Sequence, residues 1–474
     1  MRHDELLHAM SDPTRQPTLL WAPQAWISGG WRQRVLLCVG TDGCWAEVAP
    51  DTPAPQSAKV LAGPVLPGMV DAHSHAFQRA FAGLAERRSG ASDDFWSWRD
   101  RMYGVALRIS PAALHAVAAQ LYAELLAGGY TQVCEFHYLH HAADGSRYAD
   151  PLAMSRALVQ AAQDTGIGLT LLPVLYERAG FGQATLRDDQ RRFATTVDDV
   201  LALREGVRAL RLPQVSAGVA IHSLRAAAPA SITRLVDALA GDDGPIHIHI
   251  AEQSAEVDDC VAATGKRPID WLAQHVALDP RWQLVHATHA TPDEIDRVAK
   301  SGAGVVLCPS TEANLGDGVP DLPRWLAAGA TVSIGSDSQV ARAWPGELRL
   351  LEYGQRLQLH QRVVAAAPEL GLDASAARLF NRTLAGGALA AGFDAWGLVV
   401  SARADLLVLD AAAPGLLGVP GDFALDALVF ASDAPAPAEV YVAGQRVVTA
   451  GAHCDGATIA AAFTDAMAQL WAGA

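Results

Sequence analysis

"GMVDAHSH", residues 68–75, closes an apolar run on two histidines set two apart. Short, Gly-flanked and too apolar to leave a wet face, the run reads as a strand buried on both sides. Seven more runs share its form: "TQVCEFHY" (131–138), "LTLLPVLYE" (169–177), "GVAIHS" (218–223), "IHIHIAE" (246–252), "QLVHATH" (283–289), "GVVLCPST" (304–311) and "TVSIGSDS" (331–338). Between them lie helix-like stretches such as "PAALHAVAAQLYAELLAGG", "DPLAMSRALVQAAQDTG" and "TPDEIDRVAKSG", opened by Pro, Asp or Thr and closed by Gly. Strand and helix in strict alternation give a parallel sheet covered by helices, and eight units give a closed (β/α)₈ TIM-like barrel. His, Glu, Asp and Tyr collect at the C-terminal ends of the runs, the rim on which such barrels carry their chemistry. An open doubly wound sheet would show a Gly-rich phosphate turn after an early strand, and none is evident.

Outside the barrel the texture changes. "TLLWAPQAWI", "RVLLCVG", "CWAEVAP" and "SAKVLAG" precede it, and "GLVVSARADLLVLDAAA", "DALVFAS" and "AEVYVAGQRVVTAG" follow it, all read as β-like runs broken by Gly, Pro and Asp. The expected organisation is a small β-sandwich domain formed from both chain ends (1–65 and 396–474) flanking a barrel over 66–395. The 474 residues are half hydrophobic and 18% charged, a globular profile with room for a sizeable core. A formal charge of −15 without any Lys/Arg-rich run argues against nucleic acid or an anionic membrane as partner, but leaves an anionic small molecule open. Six scattered cysteines without a C-x-x-C pair fit reduced, mostly buried thiols. The opening "MRHDELLHAMSDPTRQ" has no apolar core of a signal peptide, and no long uncharged apolar stretch follows, so a cytoplasmic protein is expected.

Alternate residues of a strand point to one side, so His73 and His75 can both aim into the barrel mouth. Alone, an H-x-H pair reads as polar lining. Its meaning changes because the fifth run offers His249 with Glu252 three residues later, the sixth ends at His286 and the eighth at Asp337. Three imidazoles and a carboxylate suit one divalent cation, Zn²⁺ first and Fe²⁺ second, with room for a water. His73, His75, His249 and Asp337 are the expected ligands. A metal of this kind brings the pKa of its water from about 16 to about 7. Glu252 is the expected proton carrier, with His286 polarising the attacked bond or sharing the base role with Asp337. His247 faces a deeper layer and reads as structural; His141 and His289, one step past their strands, read as solvated loop residues. Cys134 and Cys308 read as small core residues.

The stretches "PGMVDAHSHAFQRA", "HIHIAEQ", "VHATH", "LCPSTEANLGDG" and "IGSDS" resemble the metal-dependent amidohydrolase superfamily, in its one-metal, cytosine-deaminase-like branch. "ADLLVLD" and "VYVAGQRVV" resemble the companion β domain of that group. Within it, "SDDFWSWRDRMY", "CEFHYLHH" and "ELRLLEYGQRL" resemble the formimidoylglutamate deiminases of histidine degradation. That resemblance implies hydrolysis of the formimino C=N of N-formimino-L-glutamate to N-formyl-L-glutamate and ammonia, a homodimer, and substrate contacts from Gln78, Arg99, Tyr138, His222 and Arg225. Two arginines suit a dianionic substrate in a protein of this charge, and Arg99 after "FWSW" and Arg225 in "IHSLR" are expected in loops over the mouth. Two rival readings are a heterocycle deaminase or chlorohydrolase-like enzyme on the same fold, and a metal-free binding scaffold.

Overall fold

The eight apolar runs become eight strand positions because their residues have no polar face to offer water. In the computed structural model, which describes residues 17–87, 95–433 and 437–472, they are Met69–Ser74, Tyr130–His137, Gly168–Leu175, a fourth position in two pieces (Val215–Ala217 and Val219–Ile221), Ile246–Ile250, Trp282–His286, Gly304–Leu307 and Thr331–Ile334. Each pairs in parallel with the next. The ring closes where Ser74 bridges Asp337, with Asp337 N–H donating to the His73 carbonyl at 2.9 Å and His75 N–H to the Asp337 carbonyl at 3.2 Å. Gly335 permits this approach: a Cβ there would come within 2.7 Å of the His73 Cβ. The seam of the barrel therefore lies where two of the expected ligand segments meet.

The helices follow their sequence signals. Pro111–Ala127 starts behind Ser110, whose side chain accepts from Ala113 N–H; Pro292–Ser301 starts in a capping box of Thr291 and Glu294. Ala153–Thr165 ends on left-handed Gly166. The helix Ser375–Ala390 ends in an unusual place. Its last carbonyls need partners, and they find them on inward-facing strand residues: Ala390 accepts from His247 Nε2 at 2.8 Å and from the Cys134 thiol at 3.5 Å, and the next carbonyl, Ala391, accepts from Thr170 Oγ1 at 3.1 Å. Ala390 packs with Ala72, Val285, Val306 and Cys308, so this helix end closes the floor of the barrel.

Strands from both chain ends build a second, mixed sheet of nine strands. Thr18–Ile27 and Gly30–Val39 form a hairpin over Ser28-Gly29, both at positive φ. Val65–Pro67 joins this hairpin to Leu406–Leu409 and runs, one residue later, straight into the first barrel strand. The sheet curls over a core of its own that includes Leu20, Leu37, Trp45, Leu406 and Val408, and Cys44 at its far side bridges Arg403.

Two expectations need correction. "DALVFAS" lies in a helix, Ala424–Phe430, with Leu425, Leu428 and Val429 buried on one face; an apolar run this short has no periodicity that separates strand from helix. "GLVVSAR" is mostly turn, and its strand begins only at Leu406. The cysteines are all free, but Cys454 is exposed. The last helix, Gly456–Trp471, packs on Pro111–Ala127 of the barrel. No helix among the described residues is long and apolar enough to cross a membrane. The segment 1–16, in which no signal peptide was read, and the start of "SDDFWSWRDRMY" lie outside the described residues.

Candidate active site

Strand ends deliver four side chains to one point. His73 Nε2 lies 3.2 Å from His75 Nε2 and 3.0 Å from His249 Nε2, and Asp337 Oδ1 lies 3.4 Å from both His73 Nε2 and His75 Nε2. A tetrahedral site with bonds of about 2.0–2.1 Å has ligand atoms about 3.3–3.4 Å apart, so this spacing is that of donors sharing one cation. The outer nitrogens are tied back: His75 Nδ1–H donates to the Phe136 carbonyl and His249 Nδ1–H to the His222 carbonyl, each at 3.0 Å. Those bonds set the tautomer and turn both Nε2 lone pairs inward. Burial pushes the His73 imidazole down to about 3, against the pull of Asp337, and lowers His75 and His249 as well, which keeps all three in the neutral, ligating form. Burial opposes the charge of Asp337, yet hydrogen bonding from His73 and the field of the surrounding imidazoles hold it below the carboxylate range. The residues fit a divalent cation.

Asp337 is reached through a left-handed backbone at φ 49°, and His286 through one at φ 69°. Such conformations cost of order 1–3 kcal/mol and here redirect the chain at the rim. His286 is gripped on both sides: Nδ1 lies 3.3 Å from Glu312 Oε1, while Nε2 faces Glu252 Oε1 at 3.8 Å and Asp337 Oδ2 at 3.7 Å. Burial disfavours its charge, but the carboxylates of Glu252, Glu312 and Asp337 outweigh burial and push it up to about 10. Glu252, after the fifth strand and left-handed Ala251, is pushed up to about 7 by burial, with Asp337 and Glu256 adding and His286 and Arg225 opposing. Two acids were missed by sequence reasoning. Glu312 orients His286 and also accepts from Cys308 N–H at 2.8 Å. Asp317 groups with Glu252 and His286, and burial together with Glu252 pushes it up to about 9. Both lie in the quoted "LCPSTEANLGDG"; Glu312 had its nearness to a strand end as a signal, whereas Asp317, beyond the helix Pro309–Leu315, had none.

A cavity opens above the cluster, enclosing about 560 Å³ with its mouth, and it is lined by His75, His249, Glu252, His286 and Asp337 together with Gln78, Arg99, Tyr138, His222 and Arg225. Every residue singled out as a substrate contact thus faces the same space as the cation cluster. Gln78 comes from the short turn Ala76–Ala80 and donates to the Tyr138 hydroxyl at 3.1 Å; the Tyr138 ring lies 5.1 Å from that of His75. The His222 ring sits 5.2 Å from His249. Arg225 follows the fourth strand in a loop, buried, with Glu256 and Glu252 sustaining its charge against burial. Arg99 stands on a helix, Phe95–Ala106, where a loop was expected: its guanidinium lies over the Tyr103 ring at 5.6 Å. His247 is structural, as the floor of the barrel shows. His141 is part-buried and bonded to the Ala194 carbonyl at 2.7 Å, so it is less solvated than its position suggested. Tyr103 and Tyr176 also line the cavity, and no spacing in the sequence marked them.

A sequence model of the amidohydrolase family matches residues 65–447. The formimidoylglutamate deiminase of Pseudomonas aeruginosa is 46% identical over 455 residues, 95% of this chain and 99% of that protein. A 5-methylthioadenosine/S-adenosylhomocysteine deaminase of Natronomonas pharaonis is 28% identical over 74% of each chain. Among solved structures, an amidohydrolase from Brucella melitensis superposes with a TM-score of 0.90 at 41% identity, over 96% of this chain and 99% of that one.

Proposed function

The chain belongs to the amidohydrolase family, and from that premise we propose that it hydrolyses N-formimino-L-glutamate to N-formyl-L-glutamate and ammonia. It is a metal-dependent hydrolase of C–N bonds, given the family and the buried His/His/His/Asp cluster. The substrate assignment is supported by its similarity, over nearly the whole chain, to a protein of that activity. One observation on this chain carries it: Arg99 and Arg225 line the cavity above the cation cluster, where a dianionic amino acid needs them and a neutral heterocycle does not.

The reaction adds water across the formimino carbon: a C–O bond forms, both protons of the water end on the terminal nitrogen, and the C–N bond to that nitrogen breaks to release ammonia. His73, His75, His249 and Asp337 would hold a divalent cation, proposed as zinc with iron(II) as the second choice for the same nitrogen and oxygen donors, which would supply Lewis-acid activation of the water. Asp337 divides its carboxylate between tasks. Oδ1 faces His73 and His75, while Oδ2 faces His286 and accepts the first proton. His286, held charged by three acids, stabilises the negative charge that develops on the attacking oxygen without reorganising. Glu252, poised near neutrality, carries protons to the departing nitrogen. Arg99 and Arg225 bind the carboxylates, and Gln78, Tyr138 and His222 orient the group between them and the cluster.

Ammonia release is the test. The purified enzyme is expected to turn over N-formimino-L-glutamate, to lose that activity on chelation and to regain it with added zinc. Guanine, cytosine and adenosine derivatives should yield none. Release from a heterocycle alone would replace this reading with that of a nucleobase deaminase.

A further inference from the structure

Gln190 is fully buried on the short turn Asp188–Phe193, and its amide has no freedom to flip. Its Oε1 accepts from Arg187 N–H at 3.0 Å, so its Nε2 must face the other way, where it donates to the Tyr103 hydroxyl at 3.1 Å and to the Tyr176 hydroxyl at 3.0 Å. Both amide hydrogens are then used, and each phenol oxygen already accepts one bond. The two hydroxyl hydrogens must find acceptors elsewhere. One phenol can spend its hydrogen on the other, since both oxygens sit on one nitrogen, but at least one hydrogen has no acceptor among the described residues. Both side chains are buried and line the cavity beside Arg99 and Arg225. A buried donor without an acceptor is costly, and a carboxylate oxygen entering the cavity satisfies it.

We propose that Tyr103 and Tyr176, with Gln190 as their positioning residue, form a subsite that recognises the side-chain carboxylate of the substrate, an inference that rests on the formiminoglutamate reading. The rings run outward in order. Tyr138 lies beside the ligand His75; Tyr176 lies one ring further out, 4.3 Å from His222; and Tyr103 is joined to Tyr176 through Gln190. The reacting formimino group belongs at the cluster and the α-carboxylate next to it, so the outer phenols meet the carboxylate at the far end of the chain. Burial, reinforced by Tyr103, keeps the Tyr176 phenol protonated against the pull of Arg225 and Arg99. The arginines supply charge, and the phenols supply direction. A donor pair of fixed geometry ahead of the arginines distinguishes an oxygen acceptor from an apolar tip of the same length.

Calorimetric binding of two stable ligands tests this on the intact enzyme: N-formyl-L-glutamate, and N-formyl-L-norvaline, which keeps the α-carboxylate and replaces the other by a methyl. Tyr103→Phe and Tyr176→Phe should each weaken N-formyl-L-glutamate by roughly ten- to a hundredfold, and leave N-formyl-L-norvaline within about twofold of wild type. Gln190→Glu, which turns the donor into an acceptor and draws the phenol hydrogens away from the cavity, should raise KM for the dicarboxylate more than it lowers kcat. The subsite is overturned if both Phe variants bind N-formyl-L-glutamate as wild type does, if both ligands weaken equally, or if the wild type fails to bind the dicarboxylate. A wild type that binds N-formyl-L-glutamate tightly yet releases no ammonia from the formimino compound overturns the parent reading and leaves the subsite standing.

Discussion

Changing Glu252 to Gln removes a proton carrier while leaving its shape and the three imidazoles in place. Turnover should fall by about 10²–10⁴, the usual share of a general acid or base. The metal content, measured by elemental analysis, should stay that of the wild type, because Glu252 lies outside the four-residue cation group. Near-normal turnover would remove Glu252 from the mechanism. At this scale the sequence was informative wherever a residue ended an apolar run. His73, His75, His249, His286 and Asp337 all do so, and a strand end in a barrel has only one rim to face. It was silent on Glu312, on the short helix Pro309–Leu315, and on Asp317 and Gln190, whose placement depends on contacts distant in the chain; Tyr176 lies at the end of the third run, but no spacing marks it. Gln190 is a buried amide in a stretch of charged residues, and nothing in "RDDQRRF" says which member is buried.

The loop after the second strand and the helix Phe95–Ala106 are tied together by one side chain. Arg192, fully buried, donates to the carbonyls of His141 at 2.7 Å, Ile109 at 2.8 Å and Ala106, and so caps the end of the helix that carries Arg99 and Tyr103. Arg192→Met leaves those carbonyls unpaired. It should cost about 3 kcal/mol in urea unfolding and raise KM through the loosened helix. Beside it, burial and the charge of Arg192 push His137 down to about 3, and burial with its histidine neighbours lowers His140. Both imidazoles are neutral in the folded chain and take up protons on unfolding. Stability is therefore full above the unfolded pKa near 6.5 and falls as pH drops below it, by about 1.4 kcal/mol per pH unit for each histidine. Urea midpoints between pH 7.5 and 4.5 should show this slope, and His137→Gln should flatten it; an unchanged slope would mean that His137 is already charged in the fold. Elements were readable when long. Pro111–Ala127 and Pro292–Ser301 carry both period and caps, whereas Ala424–Phe430 is too short for its apolar residues to separate helix from strand.

Across the whole molecule, both ends of the chain brace the barrel. Val65–Pro67 welds the mixed sheet to the first barrel strand, and the last helix reaches the rim from outside: Trp471 Nε1 donates to the Ala80 carbonyl at 3.1 Å, and Phe463 lies 5.0 Å below the Arg79 guanidinium. These contacts support the turn that presents Gln78. A chain ending at Asp455 should melt at lower temperature and bind N-formyl-L-glutamate more weakly, while its metal ligands are untouched; unchanged binding would show that the turn stands without its brace. Composition foretold the two-part architecture, because a barrel's apolar runs differ in texture from the broken β-like flanks. It could not foretell which surface the final helix would cover. The helix Ser375–Ala390 has a further consequence. Its end plugs the axis at the level of His247, Thr170 and Cys134, so among the described residues no path leads through the floor, and substrate and products use the mouth above the cluster. Departure of the formyl compound is then the event that readmits the next molecule, and that compound should act as a purely competitive inhibitor, its grip on the vestibule setting the pace at high turnover.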